Sequence, residues 1–84
     1  MHIDLLRSTV NSAIANEFEL DVATITAEMS LIDDLGLDSL DSVDLIACLE
    51  RAFKVKCPEA QARQMRTVGD IYAFIERLQQ DRAA

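Results

Sequence analysis

Basic residues are missing from the middle of this chain. No lysine or arginine lies between Ser8 and Glu50, while Glu17, Glu19, Asp21, Glu28, Asp33, Asp34, Asp38, Asp41, Asp44 and Glu50 all do. Arg51, Lys54, Lys56, Arg63, Arg66, Arg77 and Arg82 follow, and the net charge is −7. Such a front half repels nucleic acid and anionic lipid, so neither is an expected partner, and it attracts proteins with basic patches. Only two glycines and one proline occur, which favours helix over sheet. The longest apolar run, Leu45 to Leu49, is far too short to span a bilayer. Met1-His2-Ile3-Asp4 lacks the basic-then-apolar layout of a signal peptide, so a cytoplasmic address is expected. Cys48 and Cys57 then read as free thiols acting as small apolar filler. With a single histidine, His2, they make no zinc set. The acidic run from Asp33 lacks the carboxylate and glycine spacing of an EF-hand, so no metal site is expected.

What is present is a folding chain. Half of its 84 residues are hydrophobic. A length this small allows one domain, residues 1–84, with an ordered core of about 3–78. It buries only about 60% of its unfolded surface, enough for a bundle but hardly for a deep catalytic cleft as well.

Ile3, Leu6, Val10, Ala13 and Ile14 recur at helical spacing and predict a first helix over 3–16. Residues 17–38 read as a long loop. Phe18, Leu20, Val22, Ile25, Met29, Leu31, Ile32, Leu35 and Leu37 should pin it to the core, and a short helical turn is expected within it. A second helix is predicted from Ser39 to Phe53, with Asp38 as N-cap and Asp41 completing a capping box. Leu45, Ile46, Leu49, Ala52 and Phe53 give its inner face. Leu40, Val43 and Ala47 fall on a second stripe beside Asp41 and Asp44, a surface held open for a partner. A third short helix is placed at 58–64, with Pro58 in its first turn. A fourth starts at Thr67, with Val68, Ile71, Tyr72, Ile75 and Leu78 facing inward, and the polar tail from Gln79 should fray.

Ser39 stands where loop gives way to helix. Unpaired N–H groups at such a junction suit a phosphate. Ser39 is not a plausible nucleophile, since its sequence neighbours are carboxylates and no Gly-x-Ser-x-Gly elbow exists. A serine modified by another enzyme needs only exposure, a fixed position and recognisable surroundings.

The run Asp33-Asp34-Leu35-Gly36-Leu37-Asp38-Ser39-Leu40-Asp41-Ser42-Val43-Asp44-Leu45 resembles the phosphopantetheine attachment motif of acyl carrier proteins. The resemblance extends from about Ile3 to Leu78 and includes Phe53, Cys57-Pro58 and Thr67-Val68-Gly69-Asp70-Ile71. It implies an all-α antiparallel four-helix bundle with a long first loop and a short third helix. It implies that Ser39 carries 4′-phosphopantetheine, transferred from coenzyme A by a phosphopantetheinyl transferase, and that Asp38 helps to position the transferase-bound metal. The arm's thiol would then hold acyl groups as thioesters for partner enzymes with basic docking patches. The docking positions implied are Asp38, Leu40, Asp41, Val43, Asp44 and Ala47, on a monomer that is no enzyme itself.

Two departures from the usual fatty-acid pattern point to a specialised carrier. The third-helix region reads Glu59-Ala60-Gln61-Ala62-Arg63-Gln64-Met65-Arg66 where acids are common, and Lys54-Val55-Lys56 precedes it. Cys57 stands where an aliphatic residue is usual. The alternatives are an aminoacyl or peptidyl carrier, and a helical docking adaptor without a prosthetic group.

Overall fold

The structure, a computed structural model, describes residues 2–83; the side chains of Ser39 and of residues 81–83 lie outside that description. Four α-helices and one 3₁₀ turn make up the regular structure, and no strand occurs among the described residues. The helices are α1 (Ile3–Phe18), α2 (Ser39–Phe53), α3 (Glu59–Ala62) and α4 (Val68–Ala83). The expected all-α, four-helix class is what is found.

α1 runs two residues past its expected end. It stops at Glu19, whose left-handed backbone (φ 56°) lets its N–H bond to the Ala15 carbonyl. The helical turn expected in the loop is the 3₁₀ segment Val22–Thr24, capped by the Asp21 carboxylate, which accepts from the Ala23 N–H. α2 has the expected bounds. α3 is shorter than expected: Pro58 stays outside it and the chain leaves the helix after Ala62. α4 does not fray at Gln79. It stays helical to Ala83, and Ala84 lies outside the described residues.

Leu6, Val10 and Ile14 of α1, Leu45, Leu49 and Phe53 of α2, and Val68, Ile71 and Ile75 of α4 form the buried centre. Burying each such side chain contributes about 1.5–3 kcal/mol. Ala52, expected inside, is exposed, while Phe74 joins the core unforeseen. α1 is tied to α2 by an Arg51–Glu17 ion pair (3.9 Å) and to α4 by the Tyr72 hydroxyl, which donates to Asn11.

The long loop is fastened at Ile25, Leu31 and Leu37, all buried. Its backbone is also stitched to the start of α4. Leu31 N–H donates to the Arg66 carbonyl (2.9 Å), Val68 N–H to Met29 (3.0 Å) and Gly69 N–H to Ala27 (2.8 Å). A Cβ at Gly69 would meet the Ala27 carbonyl at 3.1 Å, so a small residue permits this approach. Two expected pins fail: Val22 and Ile32 point to solvent.

Candidate functional site

The segment leading into α2 is held by its own side chains. Asp34 Oδ2 accepts from the Ser30 N–H (2.6 Å), and Ser30 Oγ accepts from the Asp33 N–H (3.1 Å). Gly36 then adopts φ 71°, a left-handed conformation that costs other residues about 1–2 kcal/mol. That bend returns the Leu37 N–H to the Leu31 carbonyl (2.9 Å) and buries Leu37. The chain therefore arrives at Ser39 in one fixed direction.

α2 opens with a complete capping box. Asp38 Oδ1 accepts from both Leu40 N–H and Asp41 N–H, each at 2.9 Å, and Asp41 Oδ2 accepts from the Asp38 N–H (3.1 Å). Aspartate replaces the usual glutamate here because its shorter carboxylate still reaches. The Leu40 and Asp41 N–H groups are thereby engaged by Asp38, which acts as the cap of α2.

Ser39 provides the first residue of the helix. The expectation that its hydroxyl is exposed falls on a side chain outside the described residues. Around it the surface is apolar at the centre and acidic at the edge. Leu40 is 76% exposed and Val43 62%. Asp33, Asp34, Asp38 and Asp44 are exposed, Asp41 is half-buried by its capping role, and Ala47 is half-buried. Sequence patterning missed Ile32, 72% exposed. Loops lack a period from which exposure can be read.

A cavity of about 620 Å³ opens beside this surface. Leu31, Leu37, Leu45, Ile46, Ala62 and Met65 give it apolar walls, with Asp38 and Ser42 on the α2 side and Glu59 and Arg63 on the α3 side. Its volume falls within the roughly 300–1,000 Å³ of small-molecule sites. Arg63 Nη2 donates to Glu59 Oε1 at 2.6 Å. Nothing in the sequence placed α3 against this loop.

Both cysteines are free thiols, Cys57 buried and Cys48 half-buried. Burial, and then the Glu50 carboxylate, push the Cys57 thiol up to about 11. Burial, and then Glu17, raise that of Cys48, whose Sγ donates to the Ala13 carbonyl. Among the described residues no group of His, Cys, Asp or Glu side chains could hold a metal ion, and no helix is long and apolar enough to cross a membrane.

Fold and site together are those of a small helical carrier domain. The family profile described as "Phosphopantetheine attachment site" matches residues 8–75. Acyl carrier proteins are 40% identical over 75 residues in Syntrophobacter fumaroxidans (89% of this chain, 93% of that one) and 46% over 70 residues in Thermotoga maritima (83% and 86%). A solved structure from Mycobacterium tuberculosis, described as an acyl carrier protein, superposes with a TM-score of 0.79 at 35% identity, covering 84% of this chain and 95% of that one. The chain belongs to the acyl carrier protein family. It is a carrier and not an enzyme; its prosthetic group is 4′-phosphopantetheine, and the family works with phosphopantetheinyl transferases and acyl-handling enzymes. The reading as an adaptor without a prosthetic group loses its ground here.

Proposed function

We propose that Ser39 is the attachment residue and that residues 1–84 form one monomeric carrier domain, acting in the cytoplasm in fatty-acid, polyketide or specialised lipid synthesis. The observation that carries this is the Asp38-Ser39-Leu40 step at the capped start of α2, inside the matched region. The radius of gyration, 11.8 Å, equals that of a single compact unit of this length, about 12 Å.

The residues present fit the group. Gly36, at φ 71°, turns the chain toward Ser39 with open space around it, and Asp38 and Ser42 both line the apolar cavity. When bound, phosphopantetheine supplies the thiol that holds an acyl group as a thioester. This chain's residues do the rest. Leu37, Leu45, Ile46 and Met65 offer an aliphatic cargo a dry wall. Leu40, Val43 and Ala47 give a partner an apolar contact, and Asp38, Asp41 and Asp44 steer its basic patch. Docking of this kind is fast and weak, so one surface serves several enzymes in turn, while tethering raises the cargo's local concentration at each.

Incubation with coenzyme A, Mg²⁺ and a promiscuous transferase, followed by intact-mass measurement, tests the attachment. The wild type should gain one phosphopantetheine and Ser39→Ala none. An unmodified wild type, or a modified Ser39→Ala, overturns it.

A further inference from the structure

An attached phosphodiester adds a negative charge to a surface that already holds Asp33, Asp34, Asp38, Asp41 and Asp44. The α2 N-terminus does little to offset it. Its Leu40 and Asp41 N–H groups are bonded to Asp38 Oδ1, and the Ser42 N–H to the Asp38 carbonyl (3.0 Å). The counter-charge has to come from another element. Among the described residues lining the cavity, Arg63 is the cation. It stands on the α3 side of the same cavity that Asp38 and Ser42 line, and Ser39 lies between those two in sequence.

Resting on the Ser39 reading, we propose that Arg63 is the counter-ion of the prosthetic group's phosphodiester and holds the root of the arm across the cavity mouth. Three observations support the assignment. A guanidinium has five N–H donors in a planar fork suited to two oxygens of one phosphate. Glu59 engages one of them at 2.6 Å, which fixes the side chain along α3 and leaves further donors for a second anion. The side chain is 74% exposed, so it sits at the rim, where a phosphate can remain hydrated, and not in the apolar interior where the cargo's tail belongs. Arg63 also has a fixed base. The α3–α4 turn that follows it is bonded to the long loop through the Arg66 carbonyl and Leu31 N–H. Docking then has a second effect: a partner's basic patch competes for the same phosphate and frees the arm.

The test uses phosphopantetheinylated protein verified by intact mass. In the wild type, the Arg63 Nε–Hε resonance should move on loading. The ³¹P resonance of the arm should differ from that of free phosphopantetheine. Arg63→Gln should return the ³¹P line to the free position, Arg63→Lys should lie between, and Arg77→Gln should leave it in place, since Arg77 lines the groove on the other side of α3. The contact is exposed, so the arm-bound population should fall only about two- to fivefold in Arg63→Gln. At about 1 M salt, where screening reaches about 3 Å, wild type and variant should coincide. An Arg63 resonance indifferent to loading, or a ³¹P line identical in wild type and Arg63→Gln, overturns this inference and leaves Ser39 attachment intact. A wild type that gains no mass overturns both. A resonance that moves only when an acyl group is added would assign Arg63 to the cargo and overturn the phosphate reading.

Discussion

Asp38 does two jobs that pull against each other. Its carboxylate caps α2 by accepting two backbone N–H groups, and it adds a negative charge beside the residue proposed to receive a phosphate. The capping role has a measurable size. Asp38→Ala leaves Leu40 and Asp41 N–H groups without their acceptor and should cost about 0.5–2 kcal/mol in urea denaturation. Asp38→Asn retains an acceptor oxygen and should recover most of that. Equal losses in both would mean that charge and not capping is responsible. Cys57 offers a second residue-scale check. Burial holds its thiol protonated up to about 11, while in the unfolded chain it ionises near about 8.5. Between those values the folded state binds more protons, so stability should fall as pH rises through that window. Cys57→Ala should flatten this alkaline slope in melts recorded across the range, and an unchanged slope would refute the linkage.

The start of α4 shows how one side chain sets an element's boundary. Asp70 Oδ2 accepts from the Arg66 N–H (2.9 Å) and the Thr67 N–H (3.1 Å), and Thr67 Oγ1 accepts from the Asp70 N–H (3.2 Å). These bonds, the one from Arg66 foremost, hold the Asp70 carboxyl below its ordinary value. A lowered folded pKa gives stability that is present above the unfolded value and is lost as pH falls through the folded one. The acid limb of the melting profile should therefore be shallower in Asp70→Asn than in the wild type; identical limbs would remove Asp70 from the account. The same turn carries the backbone bonds that join α4 to the long loop, so loosening it should also loosen the approach to Ser39. Helices α1, α2 and α4 were legible because each carries an apolar period and a cap. α3 was legible only as a place. Four residues are too few for a period, and Arg63 at the C-cap is no glycine stop signal.

At the scale of the whole molecule, charge is unevenly spread on a small core. From Glu17 to Glu50 the chain carries ten acids and no base, and an ion pair from Arg51 to Glu17 joins α2 to α1 at the long distance of 3.9 Å. Self-repulsion of the front should weaken as salt shortens the screening length from about 10 Å to about 3 Å. The melting temperature should rise with NaCl, by about 4–8 °C for each kcal/mol relieved. Mg²⁺ at matched ionic strength should act similarly, since no cluster of ligating side chains exists among the described residues. A melt unmoved by either would show that Arg51 and Lys54 already balance the front.

The sequence by itself determined the positions of α1, α2 and α4, the Asp38 cap, the acidic front and the family. These follow from short-range regularities: side-chain period, capping chemistry and a motif of contiguous residues. Only the tertiary structure decided that Ile32 faces water and that Arg63 borders the same cavity as Asp38 and Ser42. Each of those depends on residues far apart in the chain being brought together by burial of Leu31, Leu37 and Ala62 in a shared core. No local pattern encodes that meeting, because the free energy that drives it is non-directional and belongs to the packed molecule as a whole.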